Sequence, residues 1–210
     1  MSAFSAALDN DFKSKRLAYT LVEDEDDDYK SFLKEMINEP SLQALSSEMI
    51  TRPQGKKDIE FLAAQYRKAL LGVAICLQPS EEQSDEKTNK KKPTLIGTLC
   101  IGWGGIPDSL RHHRNAYIGI TLAKQYRGKG YGKEALNWGM DWAFRHAGLH
   151  TLSLTTTSFN QVGINLYKST GFSLDGRRRE VVWCNRQWHD ELTFNITEGE
   201  WETLRGIEKD

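Results

Sequence analysis

The sequence predicts a mixed α/β fold in a single domain, and three observations predict it. Apolar residues recur with strand spacing in some segments and helical spacing in others, and the two kinds alternate along the chain. The length, 210 residues, suits one domain on the usual scale of about 100–200 residues and would cramp two. The composition, 39% apolar and 27% charged with a mean hydropathy of −0.58, fits a chain that buries a core and stays in water. Charge is nearly balanced, 28 basic against 29 acidic side chains for a net −1, which argues against the basic surface of a nucleic-acid binder. The longest apolar run, residues 70–77, is eight residues, far short of the roughly 20 of a membrane span. The N-terminus lacks the basic-then-apolar pattern of a secretion signal. Cys76, Cys100 and Cys184 are widely spaced and each lies in an apolar or β-type stretch, so they read as small buried hydrophobes. Neither a disulfide framework nor a metal site has that spacing. The expected location is the cytoplasm, with the nucleus as the alternative.

Residues 1–14 are polar and aperiodic and read as a loose leader, with the domain proper over 15–205. Residues 15–22 alternate Leu17, Tyr19 and Leu21 against polar neighbours, as a strand does. The acidic run 23–28 suits the positive end of a helix dipole. Tyr29, Phe32, Leu33, Met36 and Ile37 then share a helical face that stops at Pro40. A second helix is expected over residues 57–70, with Phe61, Leu62, Tyr66 and Leu70 on its stripe. Residues 72–77 and 95–103 read as strands, joined by residues 78–93, an expanded, lysine-rich polar hairpin loop. After a strand at 116–122, a helix runs to about Ala147 with Leu136, Met140, Ala143 and Ala147 in line and Gly148 just past its end. Residues 149–157 form the next strand. Residues 160–170 form a short helix, with Asn160 suited to the N-cap and Gly171 to the stop. Residues 172–184 and 188–196 close the domain as a hairpin.

The most informative stretch is ITLAKQYRGKGYG, residues 120–132, where an apolar strand runs into alternating glycines and a helix starts at once. Glycines let backbone N–H groups turn inward without a Cβ in the way, and a helix N-terminus adds partial positive charge. Such a turn holds phosphate or pyrophosphate. Arg127, Lys129 and Lys133 add full charges around it. A dinucleotide fingerprint fails here, because the third glycine position is Lys133 and no acid follows at the expected distance. A P-loop string is absent. A bare βα turn without a ligand stays open at this point.

Gln125, Gly128 and Gly130 fill Q-x-x-G-x-G. Further on, Asn160, Leu166, Tyr167, Gly171 and Phe172 fill N-x-x-A-x-x-L-Y-x-x-x-G-F, with Gly163 where Ala or Ser is usual. On these two motifs, in this order, the chain resembles the GNAT superfamily of acyl-CoA-dependent N-acetyltransferases. RLAYTL, LIGTLCIGW, RNAYIGITL and NRQWHDELTF are similar to the subgroup that includes ribosomal-protein N-terminal acetyltransferases, over about residues 15–201. The lysine-rich insertion has no counterpart. The resemblance implies a mixed central sheet splayed at an acetyl-CoA site, with flanking helices and no metal. It implies that backbone groups of Ile120 and Leu122 pair with the pantetheine arm. It assigns the pyrophosphate to amides of Arg127, Gly128, Lys129, Gly130, Tyr131, Gly132 and Lys133, a pantetheine contact to Asn160, and a place beside the thioester sulfur to Tyr167.

Moving an acyl group from a thioester to an amine needs an amine without its extra proton, donors for the developing oxyanion, and a proton for the departing thiolate. The N–H near Leu122 is the oxyanion candidate and Tyr167 the acid candidate, since a phenol stays protonated at neutral pH. The base is harder to name. Relatives often carry Glu where this strand has Tyr117, which leaves His112, His113, Asp190, Glu191 or a water chain as candidates. Trp103 with Gly104 and Gly105 could border the acceptor, and Arg177, Arg178 and Arg179 could reach the ribose phosphate or simply line a solvated strand edge. The expected activity is acetyl transfer from acetyl-CoA to an amine acceptor, either a small-molecule primary amine or a protein N-terminus, in a ternary complex. The alternatives are a non-catalytic acyl-CoA-binding module of the same fold and, more remotely, a chromatin-lysine acetyltransferase. The expected assembly is a monomer or homodimer, with no nucleic-acid or membrane partner.

Overall fold

In a computed structural model, which describes residues 11–22, 27–46, 49–78 and 93–207, seven strands form one sheet. They are β1 (Leu17–Leu21), β2 (Leu71–Leu77), β3 (Thr94–Ile101), β4 (Asn115–Leu122), β5 (Thr151–Thr157), β6 (Ser173–Cys184) and β7 (Gln187–Thr197). Their spatial order is β1-β2-β3-β4-β5-β7-β6, and every neighbouring pair is antiparallel except β4 and β5. Six α-helices accompany them among the described residues: α1 (Asp27–Ile37), α2 (Pro40–Ser46), α3 (Lys56–Lys68), α4 (Tyr131–Arg145), α5 (Gln161–Ser169) and α6 (Glu198–Arg205). No helix among the described residues is long and apolar enough to cross a membrane. Residues 1–10 of the expected leader, 79–92 of the expanded loop and 23–26 of the acidic run lie outside the described residues.

The sheet is covered on both faces over its first half. On one side Leu136, Met140 and Ala143 of α4 pack on Leu99, Ile101 and Ile118, and the same core continues through Phe194, Ile196 and Trp201. On the other, Tyr29, Leu33 and Met36 of α1 and Ile59, Ala63 and Tyr66 of α3 pack on Ala74, Cys76 and Cys100. Strands buried on both faces should be apolar nearly throughout, and the centre of β2 and most of β3 are. β6 is the opposite case: an edge strand, mostly exposed, carrying Arg177, Arg178 and Arg179, as suits an edge that must not pair with another sheet.

Several elements differ from the sequence reading. Pro40 begins a helix instead of ending one: α1 stops at Ile37, and Pro40 takes the first position of α2, where a missing N–H costs nothing. The buried stripe of α3 is Ile59, Ala63 and Tyr66, while Phe61 and Leu70 are exposed. A last helix, α6, was not foreseen. It opens with Thr197 accepting from the Glu200 amide while the Glu200 carboxylate accepts from the Thr197 amide, a reciprocal cap. Cys76 and Cys100 are buried as expected, with the Cys100 thiol pushed up to about 12 by burial, but Cys184 is partly exposed.

Candidate functional site

The sheet opens where its one parallel pair should run on. β4 and β5 pair only at Asn115 with Thr151, Ala116 with Leu152 and Tyr117 with Ser153. Beyond Tyr117 they part. The direction of the β4 backbone groups follows from its other neighbour. The Tyr117 carbonyl accepts from the Gly102 amide and the Ala123 amide donates to the Ile96 carbonyl, so alternate residues Tyr117, Gly119 and Thr121 face β3. Ile118, Ile120 and Leu122 therefore turn their N–H and C=O groups into the gap. The splay expected at Ile120 and Leu122 is present.

The glycine turn lies at the end of β4. Gly128 and Gly130 hold φ of +72° and +82°, a region that glycine enters without strain. A Cβ at Gly128 would meet nothing within 4 Å, so the loop is open there. The Arg127 amide donates to the Lys124 carbonyl and the Glu134 amide to the Gly130 carbonyl. Between them, no amide from Gly128 to Lys133 donates in a described turn, loop or cap, and no side chain caps α4. Six amides without a described acceptor and the positive end of a 15-residue helix thus lie along one turn. That arrangement attracts an anion and has space for one. Gly132 locks the surroundings: a Cβ there would stand 3.3 Å from Leu166 and 3.7 Å from Leu122. The loop, the end of β4 and helix α5 therefore meet at this residue.

Two expected ligands have other work. The Arg127 guanidinium holds Glu39 with two bonds of 2.8 Å, and its Nε donates to the Leu122 carbonyl at 2.8 Å. Its charge is neutralised and its amide is used, so the open donor run starts at Gly128. The Arg127 guanidinium in turn holds the Glu39 carboxyl below its usual range. Asn160 is buried and turns its side chain inward. Its Oδ1 caps the Gly163 amide, and its Nδ2 donates to Thr156 Oγ1 at 3.0 Å and to the Leu45 carbonyl at 3.4 Å. Both side chains tie α2 to the wedge, Glu39 at its start and Leu45 near its end. Tyr167 packs against Phe194, and its hydroxyl makes no described hydrogen bond. Burial raises its pKa, so the phenol keeps its proton.

The base candidates fare differently. The His112 and His113 rings lie against each other at a tilt, exposed, before β4 begins. The length of β4, roughly 25 Å at about 3.3 Å per residue, separates them from the loop. Asp190 is bound to Arg177 and to the Glu180 amide, and Glu191, opposite Thr157, is paired with Arg178. Arg177 and Arg178 are thereby committed on β6, two strands beyond the gap, and not gathered with the glycine loop. Trp103 is half exposed, edge-on to Tyr66, beside the Gly102 that holds Tyr117. One residue at the loop went unnoticed in the sequence. Arg16 donates to the Lys129 carbonyl at 3.0 Å and stacks 4.5 Å over the Tyr131 ring.

The model described as "Acetyltransferase (GNAT) family" matches residues 22–172, well over half of the chain. The chain belongs to the GNAT acetyltransferase family. Among curated relatives, this GNAT chain is 30% identical over 95 residues to the SPbeta prophage-derived uncharacterized N-acetyltransferase YokL of Bacillus subtilis, covering 44% of this chain and 54% of that protein. It is 30% identical over 84 residues to spermidine N(1)-acetyltransferase of Escherichia coli, covering 40% of this chain and 45% of that protein. The matched region thus spans about half the length of these relatives. The GNAT fold extends further than that. The crystal structure of spermidine N-acetyltransferase from Vibrio cholerae, in complex with CoA and spermine, superposes with a TM-score of 0.70 at 18% identity, over 90% of this chain and 99% of that one.

Proposed function

We propose that the chain is an acetyl-CoA-dependent N-acetyltransferase whose domain spans residues 15–205 and whose acceptor is a small-molecule primary amine or a protein N-terminus. The observation that carries this reading is the gap beside β4, with the backbone groups of Ile120 and the Leu122 N–H directed along it and the open amides of Gly128, Lys129, Gly130, Tyr131, Gly132 and Lys133 at its end. A pantetheine arm fits the gap as an added strand, and a pyrophosphate fits the amides. Bound there, the thioester supplies an activated acyl carbon. The chain's own groups do the rest. The Leu122 N–H, whose carbonyl partner is already fixed by Arg127, is held to donate to the oxygen that gains charge. Tyr167 Oη gives its proton to the departing sulfur. Asn160 and Glu39 hold the wedge and α2 in place around both reactants. With Asp190, Glu191 and Glu39 each paired to an arginine, the amine's proton leaves to solvent water and not to a named base.

Thiol release from acetyl-CoA, followed across simple amines, polyamines, amino acids and N-terminal peptides, tests this. Turnover with at least one class is expected. Tyr117 at the usual acidic position favours one second reading, an acyl-CoA-binding module. Tight CoA binding without turnover on the whole panel would select that module.

A further inference from the structure

We propose that Arg16, just before β1, is the positioning residue that keeps the glycine loop in its anion-binding form; this rests on the reading of that loop as the pyrophosphate site. The segment ahead of β1 lies along the first turns of α4. The Ser14 hydroxyl donates to Glu134 Oε1 at 2.7 Å, and the Trp138 indole donates to the Asp11 carbonyl at 2.7 Å. Arg16 is the centre of this strap. Its amide donates to Glu134 Oε1 at 2.6 Å and its Nε to Glu134 Oε2 at 2.7 Å. Its Nη1 donates to the Lys129 carbonyl at 3.0 Å, while its Nη2 lies 3.3 Å from where a Cβ on Gly130 would be.

Two consequences follow from peptide geometry and charge. In a trans peptide the C=O of one residue and the N–H of the next point in opposite directions. Holding the Lys129 oxygen on the Arg16 side therefore turns the Gly130 N–H to the other side, among the open amides of the loop. In Gly-Lys-Gly little else resists a flip of that peptide, because glycine accepts both orientations. A flipped peptide would put a carbonyl oxygen where an anion must sit. The second consequence concerns Glu134, a carboxylate in the first turn of α4. Unpaired, it would repel an anion bound one turn away; Arg16 cancels that charge while leaving the helix end positive.

The test is calorimetric binding of CoA, together with kinetics using acetyl-CoA and S-acetyl-pantetheine, which has the thioester arm but no pyrophosphate. Arg16→Met should weaken CoA binding about tenfold, the size expected for losing one orienting charge-assisted hydrogen bond. The loss should fall on KM for acetyl-CoA and not on kcat. It should vanish with S-acetyl-pantetheine, which never meets the loop. Arg16→Lys retains a charge near Glu134 but cannot bond Glu134 and Lys129 together, so it should recover only part of the affinity and guards against a folding defect in Arg16→Met. CoA binding within twofold of wild type in Arg16→Met, or an equal loss with both donors, would overturn the proposal. If wild type binds CoA no better than pantetheine, or Gly130→Asp binds CoA normally, the loop reading itself is wrong and the role of Arg16 goes with it.

Discussion

Gly163 stands close to the side chain that caps α5, and the consequence of adding a Cβ there can be tested by Gly163→Ala. A Cβ on residue 163 would lie 2.6 Å from Asn160 Nδ2 and 2.9 Å from Asn160 Cγ, too close for either to stay. The Asn160 side chain must move, and its bonds to the Gly163 amide and Thr156 Oγ1 go with it. Losing an N-cap costs about 1 kcal/mol. Leaving the buried Thr156 hydroxyl without its partner costs about 1–2 kcal/mol more. Against this, replacing a helical glycine by alanine gains about 0.5–1 kcal/mol. The net is a loss of about 1–2.5 kcal/mol. At about 2–4 °C per kcal/mol for a chain of this size, the melting temperature should fall by roughly 2–10 °C, and CoA affinity should fall with it as α5 loosens. The discriminating measurement is a cycle of thermal melts. In an Asn160→Ala background the three atoms nearest that Cβ are gone, so adding Gly163→Ala should raise the melting temperature. A single Gly163→Ala that melts at or above wild type would refute the steric argument.

Tyr167→Phe should lower turnover by about a hundredfold, within the usual range for a general acid, with acetyl-CoA affinity nearly unchanged; unaltered turnover would remove the acid role. Glu39 is ionised below its usual pKa by Arg127. Its contribution is therefore complete above the unfolded carboxyl value of about 4.5 and lost as pH falls through the lower folded value. For a bidentate pair that is partly exposed, about 1–2 kcal/mol is expected, between the surface and buried limits. Denaturant melts of Glu39→Gln should show that deficit at pH 7 and a convergence with wild type toward pH 3. Thr197→Ala should cost about 1 kcal/mol by removing the cap of α6, read from the same melts, and should leave thiol release untouched.

What could be read from the sequence was what is local. Gly128 and Gly130 adopt the left-handed conformations their residue type invites, and Asn160 caps α5 three residues ahead of Gly163, so turn and cap chemistry were legible. Leu136, Met140 and Ala143 lie on one buried stripe because a 15-residue helix against a sheet leaves one solution. The α3 stripe is not legible in the sequence because the apolar residues at 59, 61, 62, 63, 64 and 66 cover most of the helix circumference. Only the packing of Ile59, Ala63 and Tyr66 decides the face. The signal for α6 was present in Thr197 and Glu200 and simply followed the last strand without a gap. Arg16 and Glu39 were illegible for another reason. They meet Glu134 and Arg127 across separations of 118 and 88 residues, and nothing in the residue types specifies those pairings.

Those distant pairings bear on how the reaction would run. Among the described residues, Glu39, Asp190 and Glu191 are each held by a guanidinium, and Asp190 is held below its usual range by the Glu180 amide together with Arg177, against the opposing effect of burial. A carboxylate stabilised as an anion is a weaker base, so pairing works against proton abstraction by the same side chain. Such residues can still accelerate the reaction by fixing geometry. Arg127 pins the end of β4 through the Leu122 carbonyl and the start of α2 through Glu39, and Asn160 pins the other end of α2 through Leu45. The donor loop, the strand that would hold the acyl arm and helix α2 are therefore tied together by side-chain bonds. Orientation of that kind is worth several kcal/mol of barrier when reacting atoms are held near contact. An amine that is neutral in solution then needs no base at the site, and the rate should rise with pH as far as the acceptor's own pKa.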